Sequence, residues 1–140
     1  MRRALFTSLS ALSLLLVVAG CGGKQQIANA EAAVTQFHAE LNAGNFDQIY
    51  TESDAAMKNA SSQEKFVALL DAVHRKLGTV KSANRQTFVM NYGTSGKFLR
   101  LTYTTQYDAD NAAEEFVFRV NGNNVTLAGY HINSEALVTK

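Results

Sequence analysis

Proline is absent from the chain and cysteine occurs once, at Cys21. Without proline, turns must be made by Gly, Asn, Asp and Ser. A single cysteine excludes an intramolecular disulfide, so the folded state must be held by packing. Charge of one sign is not in excess either: 13 Lys and Arg stand against 12 Asp and Glu, with no basic cluster on one element. That balance excludes a nucleic-acid footprint, and no nucleic-acid partner is expected. Gly-x-Ser-x-Gly elbows, phosphate loops and dinucleotide fingerprints are missing, so no nucleophilic catalytic residue and no cofactor are expected. His38, His74 and His131 lack the short spacing of metal ligands, so no metal site is expected.

What is present begins at the N-terminus. Arg2 and Arg3 precede a Leu-rich apolar run, Ala4 to Val18, interrupted only by Thr7, Ser8, Ser10 and Ser13. The run is too short and too early for a membrane-spanning helix of the finished protein and reads as a signal peptide. It ends in Val18-Ala19-Gly20-Cys21, a lipobox in which small residues fit the signal peptidase and the Cys21 thiol receives a diacylglyceryl group. The expected mature chain, residues 21–140, loses both N-terminal arginines and carries 11 basic against 12 acidic side chains. Its 120 residues suffice for one domain with a real core.

Periodicity then sets out the elements. Gly22 to Gln26 reads as a polar tether. Ile27, Val34, Phe37 and Leu41 form a helical stripe over roughly residues 27–43, with Gly44 as a stop. Phe46, Ile49 and Tyr50 suit a short second helix, and residues 53–60 show no strong period. Ser61 with Glu64 forms a capping box for a third helix, in which Phe66, Leu69, Leu70, Val73 and Leu77 share a face before Gly78. Beyond Gly78 the period becomes 2, and four strands follow: Val80–Tyr92, Lys97–Tyr107, a third marked by Phe116, Phe118 and Val120, and Val125–Ile132. Gly129, where the apolar set changes face, marks a bulge or bend. Helices first and an antiparallel meander afterwards predict an α+β fold with N-terminal helices covering one face of the sheet.

Several segments carry a resemblance: Gly44-Asn45-Phe46-Asp47-Gln48-Ile49-Tyr50, Arg75-Lys76-Leu77-Gly78, Leu101-Thr102-Tyr103 with Tyr107, Glu115 and Phe116, and Leu127-Ala128-Gly129-Tyr130-His131-Ile132-Asn133-Ser134. In that order they resemble small bacterial lipoproteins of unknown function with an NTF2-like or cystatin-like domain, over residues 27–134, leaving 135–140 as a tail. The resemblance implies a curved four-stranded antiparallel sheet wrapped into a cone around the helices. Enzymes of that fold keep substrates at the open end, so a small isomerase or hydrolase is the rival reading.

The candidate ligand-binding group is Tyr103, Tyr107, Glu115 and His131, with Tyr130 nearby. Tyrosine and imidazole would orient a small ligand while the carboxylate tunes the histidine. The alternative is that the tyrosines seal sheet edges and Glu115 pairs with Arg100 or Arg119. The favoured reading is a membrane-tethered cell-envelope lipoprotein acting as a non-catalytic binding or accessory module. It is anchored to the lipid bilayer through acylated Cys21, with a protein partner, a homodimer or a small ligand as further expectations. Gly22 stands where an aspartate retains many lipoproteins at the inner membrane, which points to the outer membrane, facing the periplasm.

Overall fold

The computed structural model describes residues 22–139. The expected signal peptide and the expected lipidation site, Cys21, lie outside the described residues. Helix α1 spans Gly22–Ala43, so residues 22–26, expected as a tether, form its first turns. Ala30, Val34, Phe37, His38 and Leu41 are its buried stripe, at the three- and four-residue steps that place side chains on one face. The helix stops because Gly44 takes φ 78°, which lets its own amide bond Leu41 O and the next amide, of Asn45, bond Glu40 O.

A short α2, Phe46–Thr51, buries Ile49. The stretch read as aperiodic contains α3, Ala55–Ala60, whose N-cap Asp54 accepts a hydrogen bond from the Ala56 amide. One turn and a half buries only Met57, which is too little to leave a period in the sequence. Helix α4, Gln63–Leu77, is capped by Ser62 rather than Ser61, since the Ser62 hydroxyl faces the Lys65 amide and Ser61 terminates α3. Its buried stripe is Phe66, Leu70, Val73 and Leu77; Leu69, expected beside them, is 38% exposed. Gly78 ends it at φ 80°, where a Cβ would meet Asp108 Oδ2 at 2.5 Å. Asp108 in turn accepts from Lys81 Nζ, the Thr79 amide and the Thr79 hydroxyl, which hold its carboxyl down at about 2.

Four strands follow, β1 Val80–Gly93, β2 Gly96–Tyr107, β3 Asn111–Asn121 and β4 Asn124–Asn133, paired antiparallel in the order β1-β2-β3-β4. The short helix α5, Glu135–Thr139, occupies the expected tail. Alternation sends Leu99, Leu101, Tyr103, Thr105 and Tyr107 of β2, and Ala112, Glu114, Phe116, Phe118 and Val120 of β3, toward the helices. At Gly129 the register breaks: Val117 faces Gly129 while Phe118 faces Leu127, leaving Ala128 as the extra residue. That shift keeps both Tyr130 and Leu127 on the buried side. Among the described residues, no helix is long and apolar enough to cross a membrane.

The curvature implied by the NTF2-like or cystatin-like resemblance is not found. Helices pack on a flat, open sheet whose edges, β1 and β4, remain apart. A sheet wrapping its helices would draw the helix-facing side chains of β1 under them. Here Phe88 and Tyr92, on that face, are 51% and 75% exposed because they lie beyond the helical layer. The architecture is thus α+β with an open sheet, without a cone.

Candidate functional site

The four residues singled out from the sequence divide between the two sides of the sheet. Tyr103 and Tyr107 point inward from β2 and are buried. Glu115 and His131 are register partners on β3 and β4, on the opposite, solvent side. Because successive side chains in a strand alternate faces, the backbone of the sheet separates the two pairs. On the outer face Arg100 Nε lies 3.6 Å from Glu115 Oε1, the cross-strand pairing weighed as the alternative, whereas Arg119 pairs with Asp54 at 2.9 Å. A depression of about 350 Å³, open to solvent, is lined by Gln86, Thr102, Thr104, Glu115, His131 and Asn133, with Tyr103 and Glu114 also bordering it.

The denser constellation is on the inner face, around a residue the sequence reading passed over. Glu114 is 2% exposed. Its Oε2 accepts from His38 Nε2 at 2.8 Å and Thr105 Oγ1 at 2.5 Å; its Oε1 accepts from the Tyr107 hydroxyl at 2.6 Å and the Tyr130 hydroxyl at 2.7 Å. One carboxylate therefore joins α1, β2 and β4 to β3. Four donors fill the roughly four lone-pair sites that a carboxylate offers. Phe116 seals the cluster from within, with ring centres 5.1 Å from Phe37, 5.2 Å from Tyr130 and 5.7 Å from His38.

Electrostatics follow from this geometry. Burial pushes the Glu114 carboxyl up, but the hydrogen bond and charge of His38, with the Thr105 and Tyr107 hydroxyls, outweigh it and hold the group below its ordinary value. Burial first, and then the Glu114 charge, pushes the Tyr107 and Tyr130 phenols well above their ordinary range. Tyr103, desolvated and near Glu31, is pushed up to about 12. At neutral pH the cluster thus consists of an ionised carboxylate and protonated phenols. A carboxylate with every acceptor site occupied is a poor general base, and phenols locked onto it are poor acids. The arrangement is suited to orienting its members.

A signal for Glu114 was in the sequence. It stands two residues before Phe116, on the inward set Ala112, Glu114, Phe116, Phe118, Val120, so the period of 2 places it inside. His38 falls four residues after Val34 on the α1 stripe. That the two meet is a tertiary fact.

A second cavity, of about 130 Å³, lies between α1, α2 and the β3–β4 side of the sheet. Ala33, Phe37, Ile49, Phe118, Val125 and Leu127 form its apolar wall, and Gln36, Glu40 and Glu52 its polar rim. It is smaller than the roughly 300–1,000 Å³ of typical small-molecule sites. Among the described residues, no group of three His, Cys, Asp or Glu side chains is placed to hold a metal ion.

No curated protein matches the chain. The family described as a protein of unknown function (DUF4019) matches residues 33–130, a stretch that contains all five members of the Glu114 cluster. The open sheet overturns the NTF2-like and cystatin-like assignment, and the match to residues 33–130 places this chain in the DUF4019 family.

Proposed function

We propose that this protein is a lipid-tethered, non-catalytic binding or accessory module of the bacterial cell envelope, held by acylated Cys21 at the outer membrane and facing the periplasm. The observation that carries the reading is the run Val18-Ala19-Gly20-Cys21 after a basic start and a Leu-rich segment, leading directly into α1 at Gly22. The non-catalytic part draws support from the inner cluster. Its carboxylate is 2% exposed and saturated by four donors, which leaves it poorly disposed to take a proton from a reacting molecule. On the outer face, Glu115 and His131 line a depression open to water, a place for recognition by contact.

The test is chemical. Cells expressing the chain with a labelled fatty acid should yield a labelled product, and intact mass should show two or three acyl chains on a polypeptide that begins at Cys21. Two or more chains give stable anchoring where a single one is marginal. Cys21→Ser should abolish the label. An unmodified Cys21 in the wild-type product rejects the reading.

A further inference from the structure

We infer that the end of the domain built from the first turns of α1 and the two hairpin tips is a second membrane contact, which seats the protein on anionic lipid headgroups with Tyr92 at the interface. The inference rests on the acylation of Cys21 proposed above. Position is the first argument. Gln26 Nε2 donates to Gly122 O at 2.6 Å, Asn29 Nδ2 donates to Asn123 O at 2.7 Å, and Lys97 Nζ bonds Gln26 Oε1. The start of α1 is thereby pinned to both the β1–β2 and the β3–β4 turns. Gln26 is four residues into a helix that begins one residue after Cys21, a rise of only about 6 Å from Gly22. A lipid on Cys21 therefore brings both tips to the bilayer surface.

Surface chemistry is the second. Of the large hydrophobic side chains exposed among the described residues, Phe88, Val89 and Tyr92 all belong to β1, with only Leu69 and Val138 elsewhere. Phe88 and Tyr92 share the helix-facing side of β1 and Val89 lies on the other, so the apolar exposure that bears on a contact surface beside the hairpin tip is that of Phe88 and Tyr92. Lys97 Nζ lies 5.2 Å from the centre of the Tyr92 ring, and Lys24 stands in the first turn of α1. Among the described residues neither lysine is ion-paired, while Asp54, bonded to Thr126 beside the β3–β4 turn, is taken by Arg119. An amphipathic ring beside ammonium groups is the chemistry of the headgroup region: tyrosine sits at the boundary and lysine meets anionic lipid.

The chain has no tryptophan, so Tyr92→Trp introduces a single reporter. The acylated variant is placed in vesicles of phosphatidylglycerol and phosphatidylcholine, and in phosphatidylcholine alone. Its indole emission should shift to the blue and be quenched by brominated acyl chains in the anionic vesicles, at least twofold more than in the neutral ones, and high salt should reduce the difference. Adding Lys24→Glu and Lys97→Glu should return the emission to that of a water-exposed ring. A Val138→Trp reporter, on α5 beside α4, should remain in water throughout. Water-like emission of the Tyr92→Trp variant in both vesicles overturns the inference. So does a blue shift that appears with protein concentration in the absence of lipid, which would mean that β1 pairs with a second copy. Intact mass of the same sample separates the two readings: an acylated Cys21 with the position-92 indole in water overturns this inference alone, and an unmodified Cys21 overturns both.

Discussion

Glu114 and Glu115 are adjacent in sequence and chemically identical, yet they belong to two different environments. Glu114 is 2% exposed, with all its acceptor sites filled by His38, Thr105, Tyr107 and Tyr130. Glu115 shares the solvent side with Arg100 and His131 at a distance from the guanidinium, 3.6 Å, that makes a loose ion pair. The difference arises from the pleat alone, since one step along a strand reverses the face. The buried network ties helix α1 to the sheet through His38, while the same residue type one position on faces water. Buried ionic groups are expensive to isolate and cheap only when fully paired; surface pairs contribute little.

That contrast can be broken by measurement. The largest effect is expected on the inner side from Leu70→Asp, which removes a fully buried side chain and leaves an unpaired charge. Urea denaturation should show a loss on the order of 5 kcal/mol or an unfolded chain. Leu69→Asp, one residue away at a position 38% exposed, should cost less than about 1 kcal/mol. Equal losses would mean that α4 presents a different face to the sheet.

Glu114→Ala comes next. It strands one imidazole and three hydroxyls, and should destabilise by about 3 to 5 kcal/mol, against under about 1 kcal/mol for Glu115→Ala. Similar values for the two would erase the distinction between the faces.

The same contrast extends to pH. Glu114 is held below its ordinary value of 4.5 in the fold, so the unfolded chain binds the extra proton and stability rises with pH in that region. Its contribution is complete above the unfolded value and is lost as pH falls below 4.5 through the depressed folded value. Unfolding midpoints measured from about pH 6 to about pH 3 should fall less steeply in Glu114→Gln than in the wild type. At the alkaline end the sign reverses. Tyr103, pushed up to about 12, with Tyr107 and Tyr130 raised further, contributes stability present below the unfolded value of 10.0 and lost as pH rises above it through the folded values. Tyr130→Phe should flatten that alkaline decline.

The smallest effect is expected from His131→Gln. An exposed imidazole on the outer face should change stability by no more than about 0.5 kcal/mol. A loss several times larger would show that the outer face is a structural network too.

Much of the fold was legible because it is written locally. Val34, Phe37 and Leu41 on α1, and Phe66, Leu70, Val73 and Leu77 on α4, repeat with the helical period, and Leu99 to Tyr107 repeats with period 2. The irregularity at Gly129 was legible from the change of apolar face. α3 was not, since six residues carry no period, and Ser62 rather than Ser61 became the cap because Ser61 was already closing α3. Grouping Tyr103, Tyr107, Glu115 and His131 follows residue type alone; tracing each strand's parity sends Glu115 outward and Glu114 inward.

By itself, then, the sequence determined that no intramolecular disulfide can form, the order of helices before strands and which side chains of each element are apolar. These depend on neighbours within a few residues. Only the tertiary structure decided that the sheet stays open, that Phe88 and Tyr92 lie beyond the helices, and that His38 and Glu114, 76 positions apart, share a proton-bearing contact. Those outcomes depend on how far one layer extends over another. Local periodicity determines which face of an element is buried and leaves unspecified which residue of another element it will meet there.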